Sequence, residues 1–259
     1  HRPLSRPYVG TFLITTMLFV GSVFVPIPLR FYLWGLALVL SLIMPMYSML
    51  LGRKDPKVQE QVDIVTTVSP SLVERFGLFS IIVLGEIVVG VVGGVTGHHH
   101  LNWLIGGTAV LGTLVAFGLW WVYFDFISHH LPLQTTAMVA SWFYLHLPLT
   151  IGITAVGASV LNVVEHAGEH LHPEVRWLLV GSTAVSLVST AVLTRTIELN
   201  SEHQRTHRAG KWVMFISAIL IALLGFSSLE AIPLLAVLVA LLMSPIVIVL
   251  IVWLRKTLI

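Results

Sequence analysis

One acidic residue stands in the middle of a long apolar segment. Glu86 is the only Asp, Glu, Lys or Arg between Phe76 and Leu101. If this segment crosses a bilayer as a helix, Glu86 lies about 21 Å along it from Leu72, beyond the midplane of a hydrocarbon core about 30 Å thick. A carboxylate at that depth must be paired, protonated or in contact with water. Glu86 therefore indicates either an ion or proton pathway or a hydrogen bond that joins two helices.

A few other polar side chains also fall within or beside apolar segments. His146 lies near the middle of one segment, Asp125 near the inner end of another, and Glu74 and Arg75 at the inner end of the segment that carries Glu86. Each has a structural alternative: a histidine that is only hydrogen-bonded, a solvated acid, or an ion pair at the membrane surface. As candidates for a transport pathway we group all of them with Glu86, and we expect Glu86 and His146 to share one polar cavity.

Two histidine-rich loops are candidates for binding a peripheral divalent metal ion. If the second loop is helical, His166 and His170 share one face, and neutral imidazoles at that spacing can bind zinc, copper or nickel. A metalloprotease is disfavoured, because the zincin pattern needs Glu directly after the first histidine and Ala167 stands there. A solvated polar loop is the alternative. The candidate ligands are His98, His99, His100, His166, His170 and His172.

The composition places the chain in a bilayer. Of its 259 residues, 56% are hydrophobic and only 10% are charged, where a soluble domain carries about 25%. The mean hydropathy is +0.94. The absence of cysteine excludes disulfides, thiolate zinc sites and iron–sulfur clusters. The basic residues lie beside apolar segments, so the net charge of +2 has a membrane explanation and does not indicate nucleic acid.

Eight apolar segments are long enough to cross a membrane as helices. The sequence therefore predicts an all-α, polytopic integral membrane bundle that forms a single domain over residues 1–259. No cofactor other than the peripheral metal is expected, and the lipid bilayer is the first partner. The predicted spans are residues 8–29, 31–52, 72–95, 101–127, 136–161, 176–196, 211–229 and 231–254.

The basic residues give an orientation to these spans. With eight spans, twelve of the 14 Lys and Arg residues fall on one side, and only Arg30 and Arg176 fall on the other. Lys and Arg collect on cytoplasmic loops. We therefore expect both ends of this chain to lie on the cytoplasmic side of the membrane, and the histidine-rich loops to lie outside.

Glycine pairs follow Glu86 on the same segment. Gly90 with Gly94, and Gly93 with Gly97, have the spacing that lets a second helix approach closely. The pattern predicts close helix packing, either within this chain or between copies in a homo-oligomer.

The segment around Glu86 also resembles a known family signature. Residues 73–86 read VERFGLFSIIVLGE, residues 120–125 read WWVYFD, and His146 is followed by Leu147 and Pro148. This pattern resembles the bacterial low temperature requirement protein A (LtrA) family over the whole chain. The resemblance implies the membrane architecture, further spans before residue 1, and Glu74, Arg75 and Glu86 as candidate positions. It implies no mechanism.

Three classes of function remain open at this point. The first, which we favour, is a transporter or channel for a small ion or solute with Glu86 in the pathway, and it involves no catalytic activity. The second is a membrane-embedded enzyme that uses a metal held by the histidines. The third is a structural or sensory membrane protein whose deep polar groups only hold helices together.

Overall fold

The computed structural model describes residues 2–52, 67–199 and 201–257, and these residues form eight α-helices. A 3₁₀ turn, Leu224–Phe226, separates the last two helices, and a single bridge pairs Pro132 with Ile197. The helices are α1 (Arg2–Ser22), α2 (Leu29–Gly52), α3 (Pro70–Thr96), α4 (Trp103–Phe126), α5 (Thr136–Glu165), α6 (Pro173–Leu193), α7 (Ser201–Leu223) and α8 (Ala231–Thr257).

The predicted all-α membrane fold is confirmed. Helices α3 to α8 each contain an apolar stretch long enough to cross a bilayer, and two shorter apolar helical stretches occur at Val9–Ser22 and Leu29–Met44. Helices suit this environment because they satisfy their backbone hydrogen bonds internally. Large apolar side chains such as Phe12, Ile82 and Val89 are exposed, as expected for surfaces that face lipid.

Some helix boundaries differ from the predicted spans. Helix α1 ends at Ser22, earlier than predicted, and Arg30 donates hydrogen bonds to the Ser22 and Val23 carbonyl oxygens at 3.1 and 3.3 Å. Helix α7 begins at Ser201 although its predicted span begins at residue 211. Hydropathy locates the part of a helix that lies in hydrocarbon, whereas the helix itself can continue into water.

The chain divides into two compact units. That the whole chain forms one membrane domain stays a prediction. The first unit comprises the described residues of His1–Thr67 together with Gln134–Ala140, and it contains α1 packed against α2. The second comprises Val68–Leu133 and Ser141–Ile259 and carries the candidate site residues.

Small residues set the packing of α3 against α5 in the second unit. A Cβ added at Gly90 would overlap the Gly157 carbonyl oxygen, and one added at Gly157 would lie 2.9 Å from the Glu86 carbonyl oxygen. A Cβ at Gly94 would lie 2.9 Å from the Leu161 carbonyl oxygen. The Gly90 and Gly94 pair therefore allows two backbones within this chain to come close together.

Candidate functional site

Glu86 lies near the centre of α3 with its side chain exposed. It is 16 residues from Pro70 and 10 from Thr96, or about 24 and 15 Å along the helix axis. The sequence predicted that this carboxylate would face protein or a water-filled cavity. Within the described residues, the Glu86 side chain is instead exposed on the surface of the helices.

Glu86 belongs to one exposed stripe of α3. The stripe contains Arg75, Phe79, Ile82, Glu86 and Val89, which follow one another at spacings of four and three residues and are all exposed. The Glu86 backbone, in contrast, is fixed by the close contact of its carbonyl group with Gly157 of α5. The carboxylate therefore projects from a rigid position in the bundle.

His146 has the opposite environment. Its side chain is only 2% exposed, and both ring nitrogens have partners. Nδ1 lies 2.7 Å from the Trp142 carbonyl oxygen, and Nε2 lies 3.2 Å from the Tyr123 hydroxyl oxygen. Because a carbonyl can only accept, Nδ1 carries a proton. In the neutral ring Nε2 then accepts a hydrogen bond from Tyr123.

Aromatic rings close the space around His146. Its ring centroid lies 4.6 Å from that of Trp142, 4.8 Å from that of Phe76 and 5.9 Å from that of Tyr123. The Ser80 hydroxyl, also buried, interacts with Tyr123. The Trp142 indole N–H is buried and has no hydrogen-bond partner in the part of the chain described. This closed cluster joins α3, α4 and α5.

The prediction that Glu86 and His146 share a cavity is wrong. His146 contacts Phe76, which precedes Glu86 by ten residues on α3, or about 15 Å. On α5, Glu86 is level with Gly157, which follows His146 by eleven residues, or about 16 Å. Because α3 and α5 run in the same direction, both measurements separate the two groups along the bundle.

Glu74 lines a recess at the predicted inner end of α3. The recess has a volume of about 400 Å³, and its wall includes Gly77, Phe124 and His129. Arg75, on the exposed stripe, does not belong to this lining. Asp125 is exposed on α4, close enough to His129 for that imidazole to act on it electrostatically. The candidates at this end of the bundle are therefore distributed over different surfaces.

The histidine-rich loops do not form the predicted arrangement. Residues 166–169 form a turn, and Gly168 has a φ of +96°, so His166 and His170 do not share a helical face. His98 Nε2 lies 3.0 Å from the Val164 carbonyl oxygen. His166 Nδ1 lies 3.0 Å from the Asn162 carbonyl oxygen.

His99, His100, His170 and His172 complete the predicted metal-ligand set. His99, His100 and His170 are exposed, and His172 directly precedes α6 as its N-cap residue. Within the described residues, no three His, Cys, Asp or Glu side chains are grouped closely enough to hold a metal ion.

Ser80, Tyr123 and Trp142 are buried residues near His146 that were not among the predicted site residues. Tyr123 belongs to the aromatic run at residues 120–125, and it is 1% exposed and hydrogen-bonded to His146. A signal was present, because a histidine, a tyrosine and a serine lay on three neighbouring apolar segments. What the sequence did not supply was the rotation of each helix about its axis.

The apolar helices and the polar groups within them define a polytopic α-helical membrane protein. No curated protein and no solved structure matches the chain. The family described as bacterial low temperature requirement A protein (LtrA) does match it, over residues 1–254. The chain therefore belongs to the LtrA family, as its sequence pattern implied.

Proposed function

We propose that this protein transports a small ion or solute across the membrane along the face of α3 that carries Glu86. The single observation that supports this proposal is the exposed carboxylate near the centre of an apolar helix. Placing an acidic side chain against hydrocarbon at the centre of a helix costs about 3 kcal/mol on insertion scales. Water or a polar partner on that face removes this cost.

The charge of Glu86 favours a cation or a proton as the transported species. Arg75 is the other charged residue of the exposed stripe, and it lies eleven residues away, about 16 Å along α3. That separation is too long for an ion pair, so Arg75 does not neutralise Glu86. A carboxylate such as Glu86, which has no ion pair within the described residues, attracts cations and can exchange a proton. The pathway proposed here assigns no catalytic activity to the chain.

The second wall of the pathway has to come from polypeptide that packs against the stripe. Along α3, Phe79, Ile82 and Val89 are apolar and suited to contact another helix or lipid. Glu86 interrupts them at one level only. A helix with a polar group at that level would enclose a narrow, water-filled space around the carboxylate, which is the arrangement that ionisable residues in membranes commonly require.

The proposed setting is the bacterial cytoplasmic membrane, with both ends of the chain inside. The distribution of Lys and Arg supports this orientation, since only Arg30 and Arg176 fall on the predicted outer side. In this orientation Glu74 and the recess that it lines open toward the cytoplasm, and the turn at His166 lies outside.

A structural or sensory role is the second candidate, and the environment of His146 favours it. Both nitrogens of that ring are hydrogen-bonded within a closed aromatic cluster. A group in such a place joins helices without meeting a substrate. If the protein is only structural, neutralising Glu86 will have no effect on the flux of any ion.

Flux measurements in liposomes separate the two candidates. We expect Glu86→Gln to lower proton or cation flux at least tenfold, because the amide retains the shape of the side chain but cannot ionise. Glu169→Gln is the matched control, because Glu169 is an exposed carboxylate in the turn after α5, and this variant should keep the original flux. Equal flux in the Glu86→Gln and Glu169→Gln proteins would contradict the transport proposal.

A further inference from the structure

Helix α6 has an arginine near each end, and the two side chains lie in different environments. Arg176, in the first turn, is buried and donates hydrogen bonds to the Ser227 and Leu229 carbonyl oxygens. These carbonyls belong to the turn after the 3₁₀ segment, so the positive charge stabilises backbone groups. The side chain of Arg195, just beyond the other end, is exposed and has no hydrogen bond or ion pair within the part of the chain described.

Arg195 stands beside a recess, which we call the basic recess. Its volume is about 360 Å³. The recess lies between the segment that follows α6 and the beginning of α7. Its lining consists of Leu133, Thr194, Ile197, Leu199, His207, Arg208 and Lys211.

Backbone hydrogen bonds fix the rim of the basic recess. The Leu133 N–H donates to the Thr196 carbonyl oxygen at 2.8 Å, and the Glu198 N–H donates to the Leu131 carbonyl oxygen at 2.8 Å. These two bonds enclose the bridge between Pro132 and Ile197. The rim is therefore a defined structure and not a loose loop.

The opposite wall of the recess is held by α7. A Cβ added at Gly210 would overlap the Phe126 ring, so glycine allows α7 to lie directly against the end of α4. The His207 ring packs 5.3 Å from the Phe126 ring. This contact places the turn that contains Arg208 and Lys211 at the recess.

Three basic side chains are thereby held close together. Arg208 and Lys211 both line the recess, and Arg195 directly follows the lining residue Thr194. The positive charges of Arg195 and Arg208 both act on the Lys211 ammonium group. None of the three takes part in an ion pair within the described residues. Like charges held at short range by a rigid backbone repel one another, and an anion between them converts the repulsion into attraction.

The surroundings resemble a membrane surface. Trp212 is 55% exposed next to Lys211, whose ammonium nitrogen lies 5.7 Å from the centre of the indole ring. Exposed tryptophan is typical of the boundary between headgroups and hydrocarbon. Apolar Leu133, Ile197 and Leu199 in the lining suit a ligand that has an apolar part beside its anionic group.

We propose that the basic recess binds a phosphate-bearing anion at the cytoplasmic membrane surface, with the headgroup of an anionic phospholipid as its source. Clusters of Lys and Arg beside membrane-spanning helices bind such headgroups through charge and hydrogen bonds. This binding is independent of Glu86, because the recess lies among other helices of the unit. The ligand has a structural or regulatory role and is not the transported species.

Thermal unfolding of the full chain in an uncharged detergent tests the proposal. Short-chain phosphatidylglycerol should raise the unfolding midpoint in a saturable manner, since a ligand that binds only the folded state stabilises it. Phosphatidylcholine with the same acyl chains should not. Inorganic phosphate is tested separately. An equal rise of the unfolding midpoint with phosphate alone would mean that the recess binds a phosphate group whose source is free phosphate and not a lipid. No saturable rise with either anion would overturn the proposal.

Charge-neutral variants locate the binding. We expect Arg208→Gln and Lys211→Gln each to weaken phosphatidylglycerol binding about fivefold, from about 1 kcal/mol per basic residue. The control is Arg75→Gln, which removes an exposed basic residue at the predicted cytoplasmic end of α3 that does not line the recess, and this variant should bind normally. Equal weakening by Arg75→Gln and by Arg208→Gln would show diffuse attraction and contradict a defined site. Lys211→Arg retains the charge and should retain binding.

Discussion

The regions around His146 and Glu86 show two ways of placing an ionisable side chain within an apolar bundle. His146 is enclosed by rings from α3, α4 and α5, and its hydrogen bonds end on partners within the same unit. The Glu86 side chain projects from α3 and has no hydrogen bond or ion pair within the described residues, although the backbone beside it is in tight contact with Gly157. The first region is complete in this unit, whereas the second requires something outside it.

The two regions are therefore expected to affect different properties, because His146 contributes to stability and Glu86 to transport. A polar group whose partners are all buried stabilises a particular helix arrangement, and its loss should reduce the free energy of unfolding. An exposed carboxylate contributes little to packing, so its loss should affect flux and leave folding unchanged. Three further predictions test this separation, in decreasing order of their expected effect on stability.

The largest effect is expected where α3 crosses α5, at the contact that fixes the Glu86 backbone. Gly90→Ala would place a Cβ against the Gly157 carbonyl oxygen, whereas Gly85→Ala would place it in open space on the same helix. Both substitutions gain the same helix propensity. The difference between the two variants in free energy of unfolding therefore measures the cost of adding a Cβ where the helices cross. Unfolding in detergent should show Gly90→Ala less stable than Gly85→Ala by about 1–3 kcal/mol. Equal stability of the two variants would mean that the helices do not cross there.

A smaller effect is expected within the closed cluster. Tyr123→Phe removes the hydroxyl that bonds His146 Nε2 and should lower the free energy of unfolding by about 0.6 kcal/mol. Tyr32→Phe is the control, because Tyr32 is 72% exposed. The ¹⁵N resonance of Nε2 should shift in Tyr123→Phe only, which a general loss of packing would not produce. An unchanged resonance would exclude the hydrogen bond.

The helical fold could be predicted from the sequence because hydropathy and charge act residue by residue. The stretch around Glu86 is apolar enough to require a helix, whatever its neighbours are. The end of α1 was less predictable, since Arg30 stabilises the turn by bonding carbonyls that only the folded chain brings within reach. Likewise, the start of α7 lies in charged sequence, where hydropathy gives no boundary.

The site was less predictable because it depends on helix rotation. Which faces of α3 and α5 contact each other decides that His146 is buried and Glu86 is exposed. Gly90 and Gly157 are the residues that allow this contact. The sequence showed the first of these glycines but did not identify its partner. Relative height along the two helices, which separates Glu86 from His146, depends on the same contact.

The last prediction concerns the exposed face of α3, where single cysteine substitutions should leave the stability of the protein unchanged. The chain has no cysteine, so a single cysteine at position 86 or 88 can be labelled alone. Val88 is also exposed and lies within about 3 Å of the same depth, but it points about 160° away from Glu86 around α3. A charged, membrane-impermeant methanethiosulfonate reacts with the thiolate, which forms in water and not in lipid. If a water-filled pathway follows the Glu86 stripe, Glu86→Cys should react and Val88→Cys should not. Reaction at neither position would place Glu86 outside any aqueous path, and equal reaction at both would mean that water surrounds α3 without a defined pathway.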